Sequence, residues 1–253
     1  MPPPWRWTRP LGARPLVYAH RGARAHAPEN TLQAFERGRL DGADGIELDV
    51  RTTRDGVVVV VHDQDLKRVT DGRDVRAIMS TTLAELRRIE LTGNAFVPTL
   101  AEVLDWADAH EPMRVNVELK HDAHDLRALA FEVARLLRGR ARVAERVMVS
   151  SFEPKLLGWS ALYAPKIPRA FLVHEKQRFA KTIVARAIAA GVGAVAIHPE
   201  RTLCSPSRVA LWRAHDLLVN VWTVNDPREG KDLARLGVDG LITDDPAAVL
   251  AAL

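Results

Sequence analysis

Between Tyr18 and Asp71 the chain gathers the side chains needed for acid–base and metal chemistry: His20-Arg21, Glu47-Leu48-Asp49 and His62-Asp63. Each group closes or interrupts an apolar run. Val17 and Tyr18 lead into His20, Ile46 and Leu48 alternate with Glu47 and Asp49, and Val57 to Val61 run into His62. Ionisable groups are costly to hold at such places, so they point to a site more than to a core. His20 and His62 are candidates for general acid and base, because an imidazole exchanges protons near neutral pH. Glu47 and Asp49 stand two residues apart on a strand and so face the same way, and Asn116 and Glu118 repeat that spacing. Three carboxylates directed at one place repel and raise one another's pKa. One hard divalent cation, Ca²⁺ or Mg²⁺, would relieve them through oxygen ligands. The other reading is a network neutralised by Arg21, Lys120 and strand amides. Arg21, as a fork, and Lys120, as a point charge, also suit a phosphate.

These groups need elements to bring them together, and the chain supplies a repeating pattern. Strands are predicted at Leu16–His20, Gly45–Val50, Arg114–Leu119, Val147–Ser151, Pro168–Val173, Ala194–His198, Leu218–Thr223 and Gly240–Thr243. Val57–His62 follows the Arg54-Asp55-Gly56 turn as a hairpin-like extension. Helices are predicted at Asn30–Asp41, Leu100–His110, Ala123–Arg138, Pro154–Tyr163, Phe179–Ala190, Ser205–His215, Pro227–Leu236 and Pro246–Leu253. Residues 63–98 break the rhythm and carry one short helix, Leu83–Ile89, capped by Thr81 or Thr82 with Glu85 at the capping-box position. Eight βα units imply a parallel sheet closed into a (β/α)8 TIM barrel with a short insertion after the second strand. In that fold the strand C-termini share one mouth. His20-Arg21, Glu47 and Asp49, Glu118 and Lys120, Ser150-Ser151, His198 and Trp222-Thr223 all stand at strand ends, and this coincidence outweighs any one motif.

Composition bounds the function. The 253 residues are 47% apolar and 27% charged, ordinary for a soluble globular protein. Net charge is +4, from 36 basic and 32 acidic residues, with no basic cluster interleaved with aromatics. Nucleic acid is therefore not expected as a partner, whereas a mild positive field favours a small anionic substrate. A single cysteine, Cys204, allows no internal disulfide and suits a reducing, cytoplasmic setting. Residues 1–14 read as an arm with no apolar signal segment, and no apolar run is long enough for stable membrane insertion. Trp5 and Trp7 are expected to dock on the body of residues 15–253, with a membrane surface as the alternative. Nothing in the pattern fixes an oligomeric state.

The motifs resemble one family. His20-Arg21-Gly22, Pro28-Glu29-Asn30-Thr31, Gly42-Ala43-Asp44 with Glu47-x-Asp49, Asp55-Gly56 and His62-Asp63 look like the signature of glycerophosphodiester phosphodiesterases. Pro98-Thr99-Leu100, Asn116-x-Glu118-x-Lys120, Ser151-Phe152, Trp222-Thr223-Val224-Asn225, Gly237-Val238-Asp239-Gly240 and Thr243-Asp244 continue it in order, from about Val17 to Pro246. The resemblance implies Glu47, Asp49 and Glu118 as ligands of Ca²⁺ or Mg²⁺, and His20 and His62 as the acid/base pair. It implies Arg21 and Lys120 on the phosphate and Trp222 as an apolar wall beside the glycerol or alcohol, with Phe152 as a second candidate for that wall. Glu29 would support Arg21 or the metal shell, and Asn30 would cap the first helix. The implied reaction is hydrolysis to sn-glycerol 3-phosphate and an alcohol, with the glycerol 2-hydroxyl as first nucleophile. Lysophospholipase D activity is the close alternative, and a non-catalytic phosphate-binding protein the distant one. His198 is read as a structural histidine.

Overall fold

The computed structural model describes Trp7 and residues 12–122, 125–177 and 184–253. Its strands are β1 Leu16–His20, β2 Gly45–Thr52, β3 Val58–Val60, β4 Arg114–Leu119, β5 Val147–Ser151, β6 Arg169–Val173, β7 Ala196–Pro199, β8 Leu218–Val221 and β9 Gly240–Thr243. Eight of them pair in parallel in the order β1-β2-β4-β5-β6-β7-β8-β9, and β9 returns to β1, which closes the barrel. β3 lies antiparallel on β2, with Val50 opposite Val60, as the hairpin reading expected. The helices are α1 Leu32–Leu40, α2 Leu83–Leu86, α3 Leu100–Ala109, α4 Leu126–Arg138, α5 Ala141–Ala144, α6 Pro154–Tyr163, α7 Val184–Gly191, α8 Pro206–Arg213, α9 Pro227–Arg235 and α10 Pro246–Leu250. The chain is a (β/α)8 barrel.

Local chemistry sets the helix starts. Thr31, Thr82, Thr99, Asp125, Ser205, Asp226 and Asp245 each accept an amide hydrogen of the first turn through the side chain. Thr82 with Glu85 and Thr99 with Glu102 complete reciprocal capping boxes. Proline stands at the start of α6, α8, α9 and α10, where its missing N–H goes unneeded.

Strand alternation divides the interior into two layers. Val17, Ala19, Ile46, Leu48, Val115 and Val117 face outward and pack under the helices. Leu16, Tyr18, Met148, Ala170, Ala196, Leu218 and Ile242 face inward and fill the lumen, where Trp7 closes the cluster. Trp7 is 4% exposed and stacks on Tyr18 with centroids 6.4 Å apart, so it docks on the body; Trp5 lies outside the described residues. The same inward register carries the polar mouth: His20 stands beside Glu47, Glu47 beside Asn116, and Asp49 beside Glu118.

Residues 63–98 carry a small core of their own. Leu66, Val69, Ile78, Leu86, Ile89, Leu91 and Val97 pack on Val59 and Val61 of the β3 segment. This rim is therefore tied to the chain that delivers His62.

Several boundaries differ from the sequence expectation for identifiable reasons. α1 begins at Leu32 because Thr31, not Asn30, is its cap; Asn30 adopts φ 56° and turns its side chain to Asp49. α2 ends at Leu86, and a 3₁₀ turn at Ile78–Ser80 precedes it. β8 ends at Val221, so Trp222 and Thr223 stand just beyond the strand. Asp125 caps α4, while residues 123–124 and 179–183 of two expected helices lie outside the described residues.

One glycine follows directly from the site. Gly22, after His20-Arg21, has φ +80°, and a Cβ there would stand 2.5 Å from the Ala34 carbonyl carbon in α1. Gly22→Ala combines left-handed strain with a backbone clash and should lower unfolding stability by about 1–3 kcal/mol. Urea unfolding checks this, and a change of only a few tenths would contradict it.

Candidate active site

The barrel's C-terminal mouth holds a cavity of about 580 Å³. His20, Arg21, Glu47, His62, Glu118, Lys120 and Trp222 all line it. Asp49 lies beneath, 1% exposed. Chain segments remote in sequence thus bring every sequence-predicted site residue to one place.

Glu47, Asp49 and Glu118 are buried, and each offers a carboxylate oxygen within 4.8 Å of the other two. Burial first, and then the charges of Asp49 and Glu118, push the Glu47 carboxyl well above its ordinary pKa. Burial raises Glu118 as well, against the pull of Lys120. Asp49 goes the other way. Burial alone would raise it, but Lys120 and Arg21 hold it far below the usual carboxylate range. The contacts agree: Lys120 Nζ is 3.0 Å from Asp49 Oδ1, Arg21 Nε is 3.3 Å from Asp49 Oδ2, and Asn30 Nδ2 donates to Asp49 Oδ2 at 2.9 Å. Lys120 also donates to Glu118 Oε1 at 2.8 Å, and the Arg21 amide donates to Glu47 Oε2 at 3.1 Å. Two cations thus compensate three carboxylates only in part. An all-oxygen donor set with residual negative charge fits a hard divalent ion, and these residues could hold one.

Each imidazole is oriented by an aspartate. His20 Nδ1 lies 2.6 Å from Asp244 Oδ1, and His62 Nδ1 lies 2.7 Å from Asp63 Oδ1. A carboxylate only accepts, so Nδ1 carries the hydrogen and Nε2 is left for chemistry. His20 Nε2 is 4.0 Å from Glu47 Oε2. Burial lowers the pKa of both histidines, although the aspartate contacts oppose it.

Behind the imidazoles runs a chain of ion pairs that the sequence revealed only in part. Asp244 Oδ1 accepts from Arg24 Nε at 2.7 Å, and Arg24 reaches Glu29 at 3.4 Å. Glu29 accepts from Arg21 at 3.1 Å and from both terminal nitrogens of Arg68 at 2.8 Å. Arg68 Nε then donates to Asp63 Oδ2 at 2.6 Å. The expected support of Arg21 by Glu29 is present. Asp244 had a legible signal, since it directly follows β9 as the other polar groups follow their strands. Arg24 and Arg68 had none, because Arg24 meets Asp244, and Arg68 meets Glu29, only across the folded mouth. Arg51 adds a second brace: it donates to the His62 carbonyl at 2.9 and 2.7 Å and forks onto Asp122.

The far wall is apolar. Trp222 contacts Phe152 edge to face with centroids 5.6 Å apart, and its Nε1 donates to the His198 carbonyl at 2.8 Å. His198 itself is buried below the mouth with Nε2 2.9 Å from Asn220 Nδ2. Burial pushes its pKa down to about 3, so it stays neutral.

Known proteins share both sequence and fold. The sequence profile of the Glycerophosphoryl diester phosphodiesterase family matches residues 20–248. A glycerophosphodiester phosphodiesterase of Bacillus altitudinis is 32% identical over 241 residues, 91% of this chain and 94% of its own. A glycerophosphodiester phosphodiesterase structure from Thermotoga maritima superposes with TM-score 0.78 at 28% identity, covering 95% of this chain and 99% of its own. A phosphodiesterase of Oleispira antarctica, solved with its product sn-glycerol-3-phosphate, superposes with TM-score 0.84 at 25% identity, covering 94% and 96%. With this mouth, this profile match and these relatives, the chain belongs to the glycerophosphoryl diester phosphodiesterase family and is an enzyme of that kind.

Proposed function

We propose that the barrel hydrolyses glycerophosphodiesters to sn-glycerol 3-phosphate and an alcohol, with one divalent cation, Ca²⁺ or Mg²⁺, at Glu47, Asp49 and Glu118. The observation that carries this reading is the buried carboxylate triad at the mouth that both aspartate-oriented imidazoles line. The product held by the Oleispira phosphodiesterase supports the glycerol phosphate half of the substrate. When bound, the cation would neutralise charge on the non-bridging phosphate oxygens. Arg21 and Lys120, which line the same cavity, would hold the phosphate as well. One imidazole takes the proton of the attacking glycerol 2-hydroxyl as its oxygen bonds to phosphorus. The other protonates the departing alkoxide as the phosphorus–alcohol bond breaks. Water then opens the cyclic phosphate with the proton roles reversed. We take residues 15–253 as the single catalytic unit, residues 63–98 as its inserted rim, and a reducing, cytoplasmic compartment as its setting, on the single cysteine.

The test is release of sn-glycerol 3-phosphate from glycerophosphocholine and glycerophosphoethanolamine. EDTA should abolish release, and Ca²⁺ or Mg²⁺ added back should restore it. Full activity in EDTA would refute the cation's part. Lysophosphatidylcholine belongs in the same assay, because the wall of Phe152, Leu172, Trp222 and Ile242 offers apolar surface to an acyl chain. Preference for that lipid would favour lysophospholipase D activity, and no turnover of any diester would favour a phosphate-binding protein. None of the described helices is long and apolar enough to cross a membrane.

A further inference from the structure

We infer that Arg68, on the inserted rim, is a positioning residue that sets His62 for proton transfer by clamping Asp63. The inference rests on the acid/base reading of His62. Its warrant is geometric. Arg68 spends all three guanidinium nitrogens on two carboxylates of different origin: Nε on Asp63 at 2.6 Å, and both terminal nitrogens on Glu29 at 2.8 Å. Asp63 divides its oxygens in the same manner, Oδ2 to Arg68 and Oδ1 to His62 Nδ1 at 2.7 Å. Glu29 comes from the segment after β1 and is anchored in turn by Arg21 and Arg24. Arg68 therefore fixes the Asp63 carboxylate between the rim and the barrel body, and Asp63 fixes the ring plane and tautomer of His62.

An alternative role for Arg68 is merely to hold the rim down. The surroundings argue against that as the whole account. The rim has its own apolar core of Leu66, Val69, Ile78, Leu86 and Leu91 on the β3 segment, which seats it without a charge. The Arg68 side chain is 48% exposed, so an ion pair there adds little to stability. Its Asp63 partner nevertheless touches the one ring nitrogen that decides which nitrogen His62 offers to substrate.

Arg68→Ala should lower kcat about 10–100-fold, the range seen when a group orienting another functional residue is removed. The deciding readout is a double-mutant cycle on kcat with glycerophosphocholine. Arg68→Ala should lose this effect in a His62→Ala background, changing kcat there less than about twofold. Equal losses in both backgrounds, or an Arg68→Ala enzyme at the wild-type rate, would overturn the inference. If Arg68→Ala does not fold, Arg68→Lys is read in the same cycle, since one ammonium cannot reproduce the fork across Asp63 and Glu29. His62→Ala at the wild-type rate would sink the reading of His62 itself. A crippled His62→Ala with additive losses sinks only the role of Arg68.

Discussion

His20→Ala and His62→Ala should each lower kcat by roughly 10²–10⁴ while leaving the fold and cation uptake in place. The expectation comes from the way each ring is held. Nδ1 of each is committed to an aspartate, which leaves Nε2 free for the proposed proton transfer. Both rings are lowered in pKa, chiefly by burial, so at neutral pH a ring that accepts a proton is already in the neutral form. The ring that donates must be protonated within the complex, where the incoming phosphate charge favours the imidazolium. Removing either ring would therefore remove one proton transfer while leaving Arg21, Lys120 and the carboxylate triad in place. Steady-state kinetics on glycerophosphocholine decides the point, with a thermal melt to confirm folding. A variant within twofold of wild type would show that its histidine moves no proton in the rate-limiting step.

Glu47→Gln separates function from stability. The substitution keeps the shape and the oxygen that can accept from the Arg21 amide, at present 3.1 Å from Glu47 Oε2, but deletes one charge of the triad. If a cation is held there as proposed, weakening its binding would forfeit several kcal/mol of charge stabilisation, so turnover should fall on the order of 10³-fold. The fold should respond in the opposite sense. Burial and the Asp49 and Glu118 charges raise the Glu47 carboxyl above its ordinary value of 4.5. Above that pH the unfolded chain gives up this proton while the folded chain keeps it or carries a costly charge. Glu47 thus contributes stability without cation that is lost as pH rises past the ordinary carboxylate value, and Gln removes that share of the decline, while Glu118, also raised, keeps its own. In EDTA at neutral pH the variant should melt at or above the wild-type temperature, by about 2–4 °C for each kcal/mol gained. An active variant, or one melting well below wild type in EDTA, would show that Glu47 is a structural partner of Arg21 instead.

The division between what was legible and what was not has a physical basis. Strand alternation and the βα rhythm are local, so the closed barrel, the hairpin at β3 and the inward direction of Glu47, Asp49 and Glu118 could be read from spacing. Parallel strands also place all their C-termini at one end, which made the convergence of His20, Lys120 and Trp222 predictable. What escaped depends on backbone detail or on side chains meeting through space. Asn30 sits where a helix cap is expected, yet its left-handed φ of 56° sends the side chain to Asp49 while Thr31 takes the cap. Arg68 and Glu29 are far apart in sequence, and no periodicity links them. The pairing of Arg21 and Lys120 with the carboxylates was one of two open alternatives, and the contacts show that both cations touch the triad while also lining the cavity.

The proposal stands or falls on whether three carboxylates from two neighbouring strands, Glu47 and Asp49 on β2 and Glu118 on β4, would hold one divalent ion. Isothermal titration of the metal-free protein with Ca²⁺ and with Mg²⁺, repeated on Glu47→Gln and Glu118→Gln, tests it most directly. The account predicts one site per chain for at least one of the two ions, with affinity lowered at least tenfold in each variant. No uptake of either ion by the wild-type chain, or uptake unchanged by both substitutions, would contradict it.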